Sequence, residues 1–342
     1  MTDALFSMSS AIELYSKLIS MKRCLLLAVC FIILSFFSFM VSTPENSNIL
    51  NKVSLCPIVP PFLYGWMKID KNPNIRVNMS KIIKMNPHVR PGGVYAPTDC
   101  KPRSNVAIII PFRNRTLHLE TLLYHLHSLL QRQQISYSIY AIEQYGKDIF
   151  NKGVLMNAGA LESMIQHPDV ECFIFHDVDL IPEDDRNLYN CPIESPRHMS
   201  HLIDKYQYQL PYKTLVGGVL AISKAHFQLV NGYSNVYFGW GAEDDDMAKR
   251  IVAKNLHIKR PRMGVGRYHM IEHDPREKSP KKIRRLLIGR AVKRQHQDGL
   301  STVRYEIIAW DTLPLYTRIL IAIDPIHEKE RDRFLHRSYP FT

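Results

Sequence analysis

The chain predicts an α/β fold in which strands and helices alternate, and three observations predict it. Short apolar runs bounded by Pro, Gly or Asp recur along its middle. Between them lie segments with apolar residues at helical spacing. Charged clusters stand directly behind the apolar runs, where ligands bind in sheets with crossover connections.

Each element has its own signal. Val106-Ala-Ile-Ile-Ile110 is a buried-strand run stopped by Pro111. Leu119, Leu122, Leu123, Leu126, Leu129 and Leu130 recur at helical spacing and predict a helix over 117–133. Residues 136–142 predict a strand, 151–165 a helix and 171–176 a strand. Residues 215–222 predict another strand, whose Gly217-Gly218 pair lets something approach the backbone. Residues 243–255 predict a helix opened by acids.

The N-terminal part reads differently. Cys24 to Val41 is apolar apart from Ser35 and Ser38, close to the ~20 residues that span a hydrocarbon layer. Lys17, Lys22 and Arg23 precede it, so the charge bias places residues 1–21 in the cytosol and the bulk of the chain across the membrane. Pro44 spoils a cleavage site, which favours an uncleaved anchor over 22–42. Residues 43–60 are polar and Pro-rich and read as a stem. The remaining boundaries are expected at 61–103, 104–325 for the catalytic domain, and 326–342 for a tail.

Of the six cysteines, Cys24 and Cys30 lie in the apolar run. Cys56, Cys100, Cys172 and Cys191 remain for two disulfides in an oxidising compartment, with the pairing left open by the pattern. Cys172 and Cys191 flank Asp177-Val-Asp179, so a bridge between them would pin that loop. Asn78-Met-Ser80 is a glycosylation sequon on a polar stretch; Asn114-Arg-Thr116 also fits but lies in a site motif and is expected to stay unmodified. The net charge of +12 is concentrated in Arg276–Arg294. A lumenal location disfavours nucleic acid as its partner and leaves a solvated face or a lid over an anionic ligand.

The chemistry rests on four segments. Asp177-Val-Asp179 follows a strand, where a carboxylate can hold a hard cation that also grips phosphate oxygens. Pro111-Phe-Arg-Asn-Arg115 sets two guanidiniums, which match a diphosphate bidentately, at another strand end. Met270 and His273 are spaced by three; with a carboxylate they make a mixed set that Mn²⁺ tolerates better than Mg²⁺. Gly239-Trp-Gly-Ala-Glu-Asp-Asp-Asp246 sets an aromatic platform before four acids, more than a helix dipole needs, and suits sugar stacking and proton removal from a hydroxyl. Together they point to sugar transfer from a nucleotide.

These segments resemble the β-1,4-galactosyltransferase family, including its N-acetylgalactosaminyl-transferring members, from about Cys56 to about Pro325. The likeness also covers Gly92-Gly-Val-Tyr-Ala-Pro97, Phe150-Asn-Lys-Gly153, Phe175-His-Asp-Val-Asp-Leu-Ile-Pro182, Pro196-Arg-His198, Gly217-Gly-Val219, Gly232-Tyr233 and Asp298-Gly-Leu300. The resemblance implies a GT-A fold with a mixed central sheet, a type II Golgi anchor, Mn²⁺ dependence and inverting transfer to O4 of a terminal N-acetylglucosamine. It implies Asp179, Met270 and His273 as metal ligands. It implies Pro111, Phe112, Arg113, Asn114, Arg115, Phe150, Asn151, Lys152, Val178, Asp179 and His273 as donor contacts, with Trp240 as the lid residue that reaches the donor. Asp244 becomes the general base, Ala242, Glu243 and Asp245 acceptor contacts, and Cys56–Cys100 and Cys172–Cys191 the disulfides. The lid is expected over 271–291, where Lys282 and Arg284 both fit its acceptor-binding arginine.

The chain departs from the family pattern at Phe238, in place of tryptophan, and at Ala242, in place of glycine. It departs most consequentially at Leu215, where galactose-transferring members carry tyrosine beside the donor's C2 substituent. Leucine makes room for an N-acetyl group, so UDP-GalNAc is expected to serve at least as well as UDP-Gal. Strict galactose transfer, transfer to xylose and an inactive lumenal glycan-binding protein are the alternatives; the unbroken Glu243–Asp246 run favours N-acetylglucosamine over xylose.

Overall fold

A computed structural model describes Met21, Val29 and residues 32–36, 54–69, 77–262, 264–274 and 277–336. The chain divides into two units, Met1–Val53 and Ser54–Thr342. In the first, the described residues are helical and exposed. Most of the expected anchor, the cytosolic segment before it and the start of the stem lie outside the described residues. Among the described residues no helix is long and apolar enough to cross a membrane.

The second unit is built on strands β1 (Asn105–Phe112), β2 (Ser136–Gln144), β3 (Cys172–His176), β4 (Leu180–Pro182) and β5 (Arg197–His198). They are followed by β6 (Leu202–Ile203), β7 (Val219–Ser223), β8 (Arg267–Met270), β9 (Tyr305–Thr312) and β10 (Thr317–Ile323). Its helices are α1 (Met79–Met85), α2 (Thr116–Arg132), α3 (Lys152–Gln166), α4 (Lys224–Leu229), α5 (Glu243–Ala253), α6 (Lys281–Gly289), α7 (Ala291–Arg294) and α8 (Ile326–His336).

A seven-stranded mixed sheet runs in the order β5-β7-β3-β1-β2-β10-β9. Strands β3, β1, β2 and β10 are parallel, and β5, β7 and β9 pair antiparallel to their neighbours. The central strands read as unbroken apolar runs because both faces are covered. Ile108, Ile110 and Phe112 pack with the α2 leucines, while Ala107 and Ile109 pack with Val154, Leu155 and Ala158 of α3. A second, three-stranded sheet, β4-β8-β6, stands beside the C-terminal end of β3.

Both disulfides implied by the resemblance form: Cys56–Cys100 and Cys172–Cys191. The second ties the start of β3 to the loop beyond β4, and so closes the segment that holds Asp177 and Asp179.

Three elements differ from expectation. The strand expected from 215 starts at Val219, because Gly218 takes φ +93° and interrupts extended pairing. The β9–β10 hairpin extends the sheet beyond β2. Residues 326–336, expected as part of a tail, form α8, whose Phe334 is buried with Tyr237 and Leu287.

Candidate active site

The cleft opens at the C-terminal ends of β1 and β2, where the crossover connections leave room. It measures about 830 Å³, within the range of small-molecule sites, and is lined by Arg113, Asn114, Arg115, His118, Phe150, Trp240 and His273 among others. Pro111 and Phe112 are buried at the end of β1. Asn114 takes φ +54°, which turns the chain out of the strand and presents the flanking arginines. Arg113 donates to the Asp148 carbonyl at 2.6 Å, and its guanidinium lies 5.5 Å from the Phe150 ring centre. Arg115 donates to Asp179 Oδ2 at 3.3 Å.

Asp179 comes together with the Met270–His273 segment although the two are far apart in sequence. Asp179 immediately precedes β4, and Met270 closes β8, the antiparallel partner of β4 with Leu180 opposite Met270. The Ile271 N–H donates to the Asp179 carbonyl at 2.8 Å, which carries the chain on to His273. His273 Nε2 lies 2.7 Å from Asp179 Oδ2. Its Nδ1–H donates to the Asp274 carbonyl at 2.8 Å, which fixes the tautomer and aims Nε2 at the carboxylate. The hydrogen bond that His273 makes to the Asp179 carboxylate raises the His273 pKa, against partial burial. A carboxylate and an imidazole nitrogen, with the Met270 backbone paired in the adjoining ladder, bring together residue types that fit Mn²⁺.

Lys152, at the start of α3, bridges two acids: its Nζ lies 2.6 Å from Asp177 Oδ1 and 3.5 Å from Glu243 Oε1. Burial alone would depress the Lys152 pKa, but Asp177, Glu243 and Asp244 outweigh it and push it up. Lys152 is held there by Asn151, a fully buried residue whose side chain caps α3 by accepting from the Val154 N–H at 3.1 Å. Val178 is buried in the core behind the two aspartates.

Asp244 stands on the first turn of α5 against the Gly217 backbone. A Cβ placed on Gly217 would meet Asp244 Oδ2 at 2.2 Å, so the missing side chain at Gly217 lets a carboxylate approach. Burial raises the Asp244 pKa to about 7, reinforced by Glu243 and opposed by Lys152. That places a carboxylate in the range of a general base at neutral pH. Glu243 Oε2 is buried without a hydrogen-bond partner. Asp245 accepts from the Tyr212 hydroxyl at 2.8 Å. Leu215 lies two residues before Gly217, and Val216 between them is buried in the core.

The fourth acid of the run has another role. Asp246 is fully buried, accepts from Arg250 Nε at 2.5 Å and from the Tyr237 hydroxyl at 2.8 Å, and pairs closely with Arg294. Asp298 completes the group with Arg250 at 3.2 Å and Arg294 at 2.8 Å. Asp246 is therefore a structural member of the run.

Trp240 is half exposed at 51%. Its backbone N–H donates to the Glu277 carbonyl at 2.8 Å, with Lys278 and Arg284 over its ring at 5.7 and 5.9 Å. Of the two cations that fit the lid position, Arg284 is thus the one beside the indole. Ala242 occupies a left-handed conformation with φ +89°.

Sequence reasoning missed His118, which lies one α2 turn from Arg115 and faces the Glu272 carbonyl at 3.3 Å. It also missed Tyr212, the Asp245 partner. His118 sits three residues beyond Arg115 in a segment read only as amphipathic helix; Tyr212 sits in a loop with no motif signal.

Comparisons with known proteins agree with this geometry. Residues 56–192 match the model for the N-terminal region of glycosyl transferase group 7, and residues 197–274 match that for the N-terminal domain of galactosyltransferase. The chain is 44% identical over 281 residues to β-1,4-galactosyltransferase 1 of Mus musculus, covering 82% of this chain and 69% of that one. It is 42% identical to β-1,4-galactosyltransferase 2 of the same organism, covering 78% and 72%. Among solved structures, a mutant of Drosophila β-1,4-galactosyltransferase 7 in complex with manganese, UDP-Gal and xylobiose superposes with a TM-score of 0.54 at 29% identity, over 65% of this chain and 94% of that one. Two family models end to end and more than 40% identity over most of the chain leave one conclusion: it belongs to the β-1,4-galactosyltransferase family and is a hexosyltransferase.

Proposed function

We propose that the chain is an inverting, Mn²⁺-dependent transferase that moves GalNAc, and also Gal, from the UDP-sugar to O4 of a terminal β-linked N-acetylglucosamine on a glycan. The observation that carries this reading is the convergence of His273 on Asp179 at 2.7 Å, with Met270 opposite Leu180 in the adjoining ladder. The solved Drosophila relative binds manganese, UDP-Gal and a sugar acceptor, which supports the same ligand classes here.

Asp179, Met270 and His273 would hold the cation, which supplies a counter-charge for the departing diphosphate. Arg113 and Arg115, backed by buried Pro111, Phe112, Asn151 and Val178, bind the donor, and Phe150 and Asn114 line its bed. Lys152 holds Asp177 and Glu243 in place. Asp244 takes the proton from the acceptor O4 as the O4–C1 bond forms and the C1–oxygen bond to UDP breaks. The orphaned Glu243 Oε2, with Asp245 and the Ala242 backbone, receives acceptor hydroxyls. Closure of 271–291 over Trp240 excludes water.

Leucine at 215 removes the bulk and the hydroxyl that tyrosine would set on the stretch abutting Asp244, which favours the N-acetyl group of GalNAc. Side-by-side kinetics of both donors on a GlcNAc acceptor, in the natural chain and in Leu215→Tyr, test it. UDP-GalNAc is expected to match or exceed UDP-Gal, and the substitution to reverse that order. No gain for UDP-Gal in Leu215→Tyr defeats the steric reading.

The anchor over 22–42 and a lumenal Golgi location complete the proposal. They are supported by the charge asymmetry around the apolar run and by two disulfides. Exposed Asn78 is the proposed glycosylation site: its Oδ1 caps α1 by accepting from the Ser80 N–H at 2.8 Å, which leaves Nδ2 for a glycan.

A further inference from the structure

Residues 213–218 form a short strap that leads into β7. Leu215 and Gly217 are partly exposed while Val216 between them is 1% exposed and anchors the strap in the core. Within three residues the strap therefore carries both the donor-discriminating residue and the surface on which Asp244 rests.

The strap is clamped through its carbonyls. Arg260 Nη2 donates to the Lys213 carbonyl at 2.6 Å and to the Leu215 carbonyl at 3.1 Å. Among the described residues no carboxylate pairs with Arg260, and its Nε is buried without a partner. A guanidinium that spends its donors on two loop carbonyls, without a counter-charge, is a costly way to hold a surface turn. Further along, His198 Nε2–H donates to the Gly217 carbonyl at 2.8 Å. Ser200 Oγ donates to the same carbonyl at 3.3 Å and accepts from the Val219 N–H at 2.8 Å. His198 is fully buried, and burial lowers its pKa to about 3, so it stays neutral and keeps one donor for the strap.

The two arms share one mount. The His198 N–H donates to the Lys259 carbonyl at 2.9 Å, and the Lys259 N–H donates to the Pro196 carbonyl at 2.9 Å. His198 and Arg260 thus spring from paired backbone and grip the strap at two places.

We propose that Arg260 and His198 are positioning residues with separate outputs: Arg260 sets donor selectivity by fixing the Leu215 backbone, and His198 sets turnover by fixing Gly217 against Asp244. This rests on the roles given above to Leu215 and Asp244, and the test separates the two layers. Steady-state kinetics with UDP-GalNAc and UDP-Gal are measured for the natural chain, Leu215→Tyr, Arg260→Gln, Arg260→Lys, His198→Ala, His198→Gln and Ser200→Ala, with thermal unfolding of each.

Arg260→Gln is expected to change the ratio of kcat/KM for the two donors by about fivefold or more, a split that loss of folded protein would not produce. Arg260→Lys, which keeps a charge but loses the fork, is expected to change it in the same direction by less. Equal losses on both donors overturn the role of Arg260. His198→Ala is expected to lower kcat about tenfold on both donors with donor KM unchanged, and His198→Gln, which restores an N–H donor, to recover part of it. Unchanged kcat with a lowered Tm overturns the role of His198. If His198→Ala does not fold, Ser200→Ala decides: a smaller kcat loss with both KM values kept supports the clamp, and unaltered kcat refutes it. If Leu215→Tyr leaves the donor ratio unmoved, the reading of Leu215 fails; if it moves the ratio and Arg260→Gln does not, only the clamp fails.

Discussion

Asp244 and Asp246 lie two positions apart on α5 and meet opposite environments. At 3.6 residues per turn they point ~200° apart around the helix axis. Asp246 faces inward to Arg250, Arg294 and Tyr237, and every charge there is matched. Asp244 is pressed against Gly217, with Glu243 and Asp245 beside it and Lys152 as the cation that offsets them. The same side chain becomes a structural tie on one face and a proton acceptor near neutrality on the other. The difference comes from the number of cations within reach, not from the run of acids itself.

The largest effect is expected where the acid is chemical. Asp244→Asn removes the proton acceptor while keeping shape, so transfer falls about a thousandfold while UDP-sugar binding stays close to the natural value. Rate and donor titration on the same preparation check it; lost donor affinity at retained turnover would reverse the comparison. On the other face, Asp246→Ala leaves Arg250 and Arg294 buried and under-compensated. It is expected to cost about 3–5 kcal/mol of folding stability in denaturant titration. A cost near zero would mean that the buried group is not the tie described.

Proton titration sharpens the contrast. With the Asp244 pKa raised to about 7, kcat/KM is expected to decline as pH falls through that value. Stability runs the other way. A carboxyl whose folded pKa exceeds its unfolded value stabilises most below the unfolded value, and that contribution is lost as pH rises to about 7. The Tm gain from Asp244→Asn is therefore expected to be larger at pH 8 than at pH 5. For Asp298, burial would raise the pKa, but Arg250 and Arg294 outweigh it and hold the carboxyl low. Its stability is present above the ordinary carboxylate range and lost on acidification below it.

The smallest expected effect is backbone strain at the N-terminus of α5. Ala242 sits at φ +89°, where an L side chain is disfavoured. Ala242→Gly is expected to raise stability by about 1 kcal/mol in thermal unfolding, since relief of strain outweighs the added unfolded-state entropy.

Much of this was legible in the sequence. The apolar runs located β1, β2 and β3 because strands covered on both faces cannot alternate with polar residues. Asp177-Val-Asp179 could be placed at a strand end, and the Gly217-Gly218 pair signalled a close approach. What approached could not be read, because the contact with Asp244 joins residues from separate elements. Asp246 was grouped with its neighbours, although Arg250 four residues on was a hint; its other partner, Arg294, lay hidden among the cations of 276–294. The strand expected from 215 began late because one left-handed glycine outweighed the propensity of Leu215-Val216. Edge strand β9, with exposed Ile307 and Ile308, carries too little buried periodicity to stand out.

Crystals soaked with Mn²⁺ and UDP, with diffraction recorded at the manganese edge, test the metal-supported transfer most directly. A single anomalous peak between the Asp179 and His273 side chains, adjoining Met270, is the expected result. A peak elsewhere, or none at a Mn²⁺ concentration that supports turnover, would contradict it.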